Sequence, residues 1–291
     1  MYLIEFFQRI VKKSNISIIA YLILNVFIIA WFFSNGFTDP EGFLFGVAAY
    51  IVSLAIALSP VGEFILRVMS GCRSISGTPA AERFEPLFKE VYQKAKEKYP
   101  DLPEDVQLFI NNDPTPNAFA IGRKTVCLNK GILSMSDKQI KGILAHEIAH
   151  LAHKDTDLLL LITVGNFIIT GLFIIIRFIF NAMGLMTAII NADIGAWLTA
   201  ALFDILLAGA MFIWTKTGAL LVMHSSRQNE YKADKLAYET GYGKNLVSAL
   251  EELENHDMPK RSIWATLVAS HPKTESRIIK VKLLQYCFYP L

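Results

Sequence analysis

The chain has 291 residues, 53% of them hydrophobic and only 19% charged, with a formal net charge of +2. That apolar excess is out of range for an ordinary soluble enzyme, and so small a charge argues against a nucleic-acid partner. Three cysteines, Cys72, Cys127 and Cys287, are odd in number and lack metal-like spacing, so they read as reduced thiols rather than a disulfide framework.

The apolar residues are concentrated in runs. Residues 16–33 form the first, and 43–59 the second, stopped by Pro60. Each is about long enough to cross roughly 30 Å of hydrocarbon at 1.5 Å per residue. A cleaved signal peptide over 1–34 is the rival. The run is longer than a typical h-region, lacks a clear small-x-small site and is followed closely by another span, so an anchor fits better. Residues 81–99 predict an amphipathic helix, with Phe84, Leu87, Phe88, Val91 and Tyr92 on one side. Residues 107–111 and 117–121 look extended, and Gly122-Arg123-Lys124 turns the chain into 125–128. That pattern predicts a small antiparallel sheet. Its Asn117-Ala118-Phe119-Ala120 segment is the candidate edge strand on which an extended peptide could pair, but the segment is generic and by itself reads better as a hairpin with only a packing role.

Ser136-Asp137-Lys138-Gln139 has the form of a capping box, and Ile140, Ile143, Leu144, Ile148 and Leu151 recur at helical spacing behind it. Gly142 on this helix costs about 1 kcal/mol against Ala, which predicts a close approach by another element. The same helix carries His146-Glu147-Ile148-Ala149-His150. Residues i and i+4 share a helix face, so both imidazoles can reach one metal ion while Glu147 stands beside them as a general base. This is the ligand spacing of a zinc peptidase.

Two histidines leave such a zinc one protein ligand short. The metzincin pattern needs Gly three and His six residues after the motif, where this chain has His153 and Thr156. A later glutamate is the other solution, and 151–229 contains none; the first is Glu230. Asp155, Asp157, Asp193 and Asp204 are rival carboxylates, the first two too soon after the helix to fold back easily and the others in or beyond apolar segments. Glu230 has Asp234 one turn on, on the same face, placed to accept the remaining N–H of a ligating histidine.

Residues 158–176 and 196–214 are the third and fourth apolar runs, with 181–195 as the turn between them. Asp204 within the fourth is most simply a protonated or hydrogen-bonded packing residue facing another helix. His150 precedes the third span and Glu230 follows the fourth, so a shared metal demands an even number of crossings. Loops 34–42 and 181–195 contain no Lys or Arg, whereas Arg9, Lys12, Lys13, Arg67, Arg73, Lys141, Lys154, Lys216 and Arg227 flank the opposite ends. The positive-inside rule then puts both termini and the catalytic region in the cytoplasm, with four spans in the cell membrane. The expected organisation is a membrane hairpin over 1–67, a first peptidase segment with the motif helix over 68–156, a second membrane hairpin over 157–223 and a second peptidase segment with the third ligand over 224–291. The class is α+β, mainly helical.

Taken together, these motifs resemble the membrane-embedded M48 metallopeptidases, and most closely the HtpX-type heat-shock proteases of bacteria and archaea. The matching pieces are Asn117-Ala118-Phe119-Ala120 with Gly122, His146–His150 followed by Asp155, Ser226-Arg227 with Glu230 and Asp234, and Ser270-His271-Pro272 with Arg277-Ile278. The resemblance implies a gluzincin-like fold, one Zn2+ per subunit, and degradation of damaged or misassembled membrane proteins or unfolded polypeptides from the cytoplasmic side. It also implies that Asn117 contacts the substrate strand, that His271 stabilises the oxyanion and that Arg277 is a supporting charge. Two other functions compete. A CAAX-type prenyl-protein peptidase would have a longer chain with more spans. A catalytically silent zinc-stabilised membrane scaffold would favour a closed site of four protein ligands.

Overall fold

The apolar runs are helical in a computed structural model of the protein, which describes Phe6 and residues 16–191, 194–255 and 274–288. The chain divides into two units, one joining residues 1–57 to 161–222 and the other 58–160 to 223–291. The first unit holds α1 (Ile16–Phe33), α2 (Pro40–Ala57), α7 (Asn166–Asn191) and the first part of the long α8 (Ile194–Glu239). Among the described residues, three helices are long and apolar enough to cross a membrane: Pro40–Ala57, Phe173–Asn191 and Trp197–Gly218; the apolar helix Ile18–Phe33 is shorter. Large apolar side chains such as Leu44, Phe178, Ile190 and Leu206 point outward, the arrangement a lipid solvent favours. The chain is a membrane protein.

Inside this unit, polar groups pair with one another. Asn166 Nδ2 donates to the Tyr21 hydroxyl at 2.8 Å, Tyr21 stacks on Trp214, and Trp214 Nε1 donates to Asn25 Oδ1 at 2.7 Å. Asp204 faces another helix, as its packing role requires, and its partner is Arg177 of α7, bound through both oxygens at 2.5 and 2.7 Å. The structure corrects the expected turn over 181–195, because α7 continues to Asn191 and α8 resumes at Ile194. Asn181 does not break the helix; its Nδ2 donates to the Arg177 carbonyl one turn back at 3.0 Å. The helix of this region that is long and apolar enough to cross a membrane is Phe173–Asn191, later than the apolar run at 158–176. The start of that run instead forms the short α6 (Thr156–Leu160) and a π-helical turn (Leu161–Gly165), mostly buried.

The second unit packs α4 (Pro79–Lys98), α5 (Asp137–His153), α9 (Gly243–Asn255) and α10 (Thr274–Phe288) with a four-stranded sheet. Its strands are β1 (Arg73–Ser74), β2 (Gln107–Asn111), β3 (Ala118–Ile121) and β4 (Thr125–Asn129), in the order β1-β2-β4-β3. The sheet is mixed and not antiparallel as expected, since β2 and β4 run parallel while the other two pairings are antiparallel. After β2, Asn111 and Asp113 each accept the backbone N–H two residues on. These turns carry the chain past the β4 position, so that β3 becomes the outer strand and the hairpin returns β4 to the middle. Gly122, at φ +58°, makes that hairpin turn.

Ser136 and Gln139 form the predicted capping box of α5, and Ile140, Leu144, Ile148 and Leu151 are fully buried along it. The close approach expected at Gly142 is made by α9; a Cβ there would lie 2.4 Å from the Leu246 backbone nitrogen. The hairpin turn is tied to α6 by a buried ion pair. Arg123 Nε and Nη2 donate to the two Asp157 oxygens at 3.2 and 2.8 Å, and Thr156 donates to the Gly122 carbonyl. Arg123→Ala is expected to lower stability by about 3–5 kcal/mol, because it leaves Asp157 buried without its counter-charge. Thermal unfolding in detergent checks this, and a melting temperature equal to that of the unsubstituted protein would contradict it.

Candidate metal centre

α5 presents His146, Glu147 and His150 from a helix buried on nearly every side, and α8 brings Glu230 and Asp234 to the same place. His146 Nε2 and His150 Nε2 lie 3.2 Å apart, with ring planes nearly perpendicular. Glu230 Oε2 is 3.3 Å from His146 Nε2, and its Oε1 is 3.4 Å from His150 Nε2. Zinc bound tetrahedrally at about 2.0–2.1 Å requires ligand atoms about 3.3 Å apart. The separations, taken to a different Glu230 oxygen for each histidine, lie close to that edge, and one ligand atom from each of the three residues lies within 4.8 Å of the others, so the donor set fits the ion. Among the described residues these three form the one His/Cys/Asp/Glu group close enough to share a metal.

Behind each imidazole stands a carboxylate. Asp234 Oδ1 lies 2.9 Å from His146 Nδ1, and Asp155 Oδ2 lies 3.4 Å from His150 Nδ1. A carboxylate on Nδ1 keeps the proton there and turns the Nε2 lone pair toward the cage. Asp155 reaches back because α5 ends in Lys154, whose left-handed backbone (φ +54°) reverses the chain. Sequence spacing sets Asp155 aside as the third zinc ligand while keeping it as a supporting residue, and the structure places it on the outer nitrogen of His150, outside the group that can share a metal. The other rival carboxylates are engaged elsewhere, Asp157 with Arg123 and Asp204 with Arg177; Asp193 lies outside the described residues.

Arg277 on α10 closes the back of the cluster. Its Nη2 and Nε donate to Asp234 at 2.6 and 3.0 Å, and Nη1 lies 3.6 Å from Glu230. Nη2 is also 3.2 Å from both ring nitrogens of His146. Equal distances to both nitrogens do not describe a hydrogen bond aimed at one of them. Sequence reasoning reached Arg277 only through a family resemblance, because nothing in its local pattern marks it. Glu147 is 3% exposed, next to His146 in the chain. Asn117 is buried immediately before β3, its carbonyl accepting from the Asn129 N–H at 2.8 Å. His271 lies outside the described residues.

The cluster favours a cation. Burial works against a charged His146, as does Arg277, yet Asp234 and Glu230 outweigh both and raise its pKa above the ordinary imidazole value. Burial likewise opposes charge on His150, but Glu230, Asp155 and Glu147 raise it well above that value. For Asp234, burial is outweighed by Arg277 and His146, which hold the carboxyl well below the usual range. Four carboxylates against one guanidinium leave the group net negative, suited to a divalent ion. A proton and a metal ion compete for the same imidazole nitrogens. Zinc affinity should therefore fall as pH drops, starting above the ordinary imidazole pKa of about 6.5, with up to about two protons bound per zinc released. Competition with a chromophoric chelator between pH 8 and 5.5 measures this; a flat profile would contradict the cage.

The peptidase family M48 model matches residues 81–284, a stretch containing all of these side chains. The chain is 28% identical over 307 residues to a protease HtpX homolog of Caldanaerobacter subterraneus subsp. tengcongensis, covering 94% of this chain and 95% of that one. It is 29% identical over 260 residues to protease HtpX of Shewanella baltica, covering 82% and 85%. The crystal structure of S. mikatae Ste24p superposes with a TM-score of 0.43 at 15% identity, covering 90% of this chain and 63% of that one. With the family model spanning well over half its length, the chain belongs to peptidase family M48 and is a membrane-embedded metalloprotease akin to HtpX.

Proposed function

We propose that the protein is a zinc endopeptidase that hydrolyses damaged or misassembled membrane proteins and unfolded polypeptides at the cytoplasmic face of the cell membrane. The observation that carries this reading is the cage of His146, His150 and Glu230, with edges of 3.2–3.4 Å and Glu147 buried alongside. Three protein ligands suit an open, reactive site better than a closed structural one. A bound zinc ion supplies Lewis acidity, polarising the scissile carbonyl and lowering the pKa of coordinated water toward about 7.

The chain's own residues do the rest. Glu147 takes the proton of the attacking water and delivers it to the leaving amine. His271 donates to the developing oxyanion. Asp234 and Asp155 hold the imidazoles in orientation, and Arg277 fixes Asp234 through two hydrogen bonds. The outer strand β3, preceded by Asn117, offers a backbone template for an extended substrate. Gathering His150 and Glu230 at one site requires an even number of crossings between them, which α7 and α8 supply. With α1 and α2, the spans number four, and the Lys/Arg-free loops put both termini and the site in the cytoplasm.

The test is metal analysis of purified protein together with cleavage of a model membrane substrate. One zinc per chain and activity lost to a chelator, then restored by zinc, are expected. Full activity in a metal-free preparation would overturn the proposal.

A further inference from the structure

The short helix α3 (Pro60–Met69) begins three residues after the membrane-crossing helix α2 ends at Ala57. Ser59 caps it, accepting from Val61 N at 3.1 Å, and Pro60 sets its first turn. Its polarity is inverted relative to a helix in water. The charged Glu63 is 6% exposed, whereas Val61 is 56%, Phe64 56%, Val68 61% and Met69 42% exposed. Val61, Phe64 and Val68 recur at i, i+3 and i+7 and so form one stripe. No Lys, Arg, Asp or Glu lies on that stripe.

The inward face grips the hairpin turn of the peptidase sheet. Glu63 accepts from the backbone N–H groups of Arg123 and Lys124 at 3.1 and 3.2 Å, and from the Thr125 hydroxyl at 2.6 Å. A Cβ on Gly122 would lie 2.4 Å from the Glu63 carboxylate, so a side chain there would displace the carboxylate from the turn. Arg67 lies over the Phe109 ring at 4.9 Å, on β2.

We infer that α3 is an interfacial helix whose Val61–Phe64–Val68–Met69 face lies in the lipid surface, seating the β3–β4 hairpin against the membrane. The occupant follows from chain length. Three residues span at most about 11 Å, so α3 cannot leave the bilayer boundary where α2 ends. An apolar face held there inserts about 5–10 Å into the headgroup and acyl boundary. The inference rests on the membrane character of the chain and not on the zinc assignment.

The test places the photoreactive residue benzoylphenylalanine at Phe64 or Val68, with the α4 surface position Lys89 as control. The full-length protein is reconstituted in phosphatidylcholine–phosphatidylglycerol vesicles, and adducts are identified by mass spectrometry. Lipid adducts at 64 and 68 but not at 89 are expected. Adducts to a second copy of the chain, or none at 64 and 68, would overturn the inference. A Phe64→Glu, Val68→Glu variant tests the seating. It should cleave a membrane-anchored substrate in vesicles roughly tenfold more slowly and casein in detergent at the unsubstituted rate. Equal rates on the anchored substrate, or parallel losses on both, would refute the seating. The photochemical readout needs no peptidase activity, so it fails or succeeds independently of the proposed function.

Discussion

Glu147→Gln protein is expected to cleave peptide bonds about 10²–10⁴-fold more slowly while keeping its zinc. The substitution preserves the volume of a side chain that is 3% exposed, so the buried helix has no cavity to fill. It removes the only capacity the mechanism needs from this position, which is to accept a proton and return it. The metal-sharing atoms belong to His146, His150 and Glu230 and are untouched. Zinc content by elemental analysis and cleavage rate on the same preparation separate the two roles. Wild-type cleavage would remove Glu147 from the mechanism, and stoichiometric loss of zinc would mean that it is a ligand.

Glu230→Gln protein should lose the metal itself. Structural zinc in a four-ligand site is bound by roughly 10–16 kcal/mol, so one ligand carries about 3–4 kcal/mol, or a factor of roughly 10²–10³ in affinity. The amide keeps the shape but surrenders the charge that draws a divalent cation between two imidazoles. Asp234→Asn should be milder, about 10–100-fold, because it weakens only the orientation of His146. Competition titrations with a zinc chelator order the three proteins: unsubstituted tightest, Asp234→Asn next, Glu230→Gln weakest. If Glu230→Gln bound zinc as tightly as the unsubstituted chain, another group would have to complete the cage.

Several of these features are written in short stretches of sequence. The capping box at Ser136–Gln139 and the apolar spacing from Ile140 to Leu151 specify α5, because capping and helical periodicity act within one or two turns. The i, i+4 placement of His146 and His150 follows from that helix. Glu230 emerges by elimination, since no other glutamate follows the motif before it. Spans were harder to delimit. Asn181 looks like a helix breaker, but its amide bonds to the preceding turn and the helix continues to Asn191.

By itself, the sequence determined the membrane character, the helix that bears the motif, and the residue types able to hold a divalent ion. These depend on composition and on neighbours within a few residues. The tertiary structure decided the parallel pairing of β2 with β4, the return of Asp155 to His150, the grip of Arg277 on Asp234 and the outward apolar face of α3. The first three join groups whose partners are chosen by packing and by the need to satisfy buried charge, from five to 43 residues apart, and the fourth is a face that such packing leaves uncovered. A local pattern carries no record of which distant group will arrive.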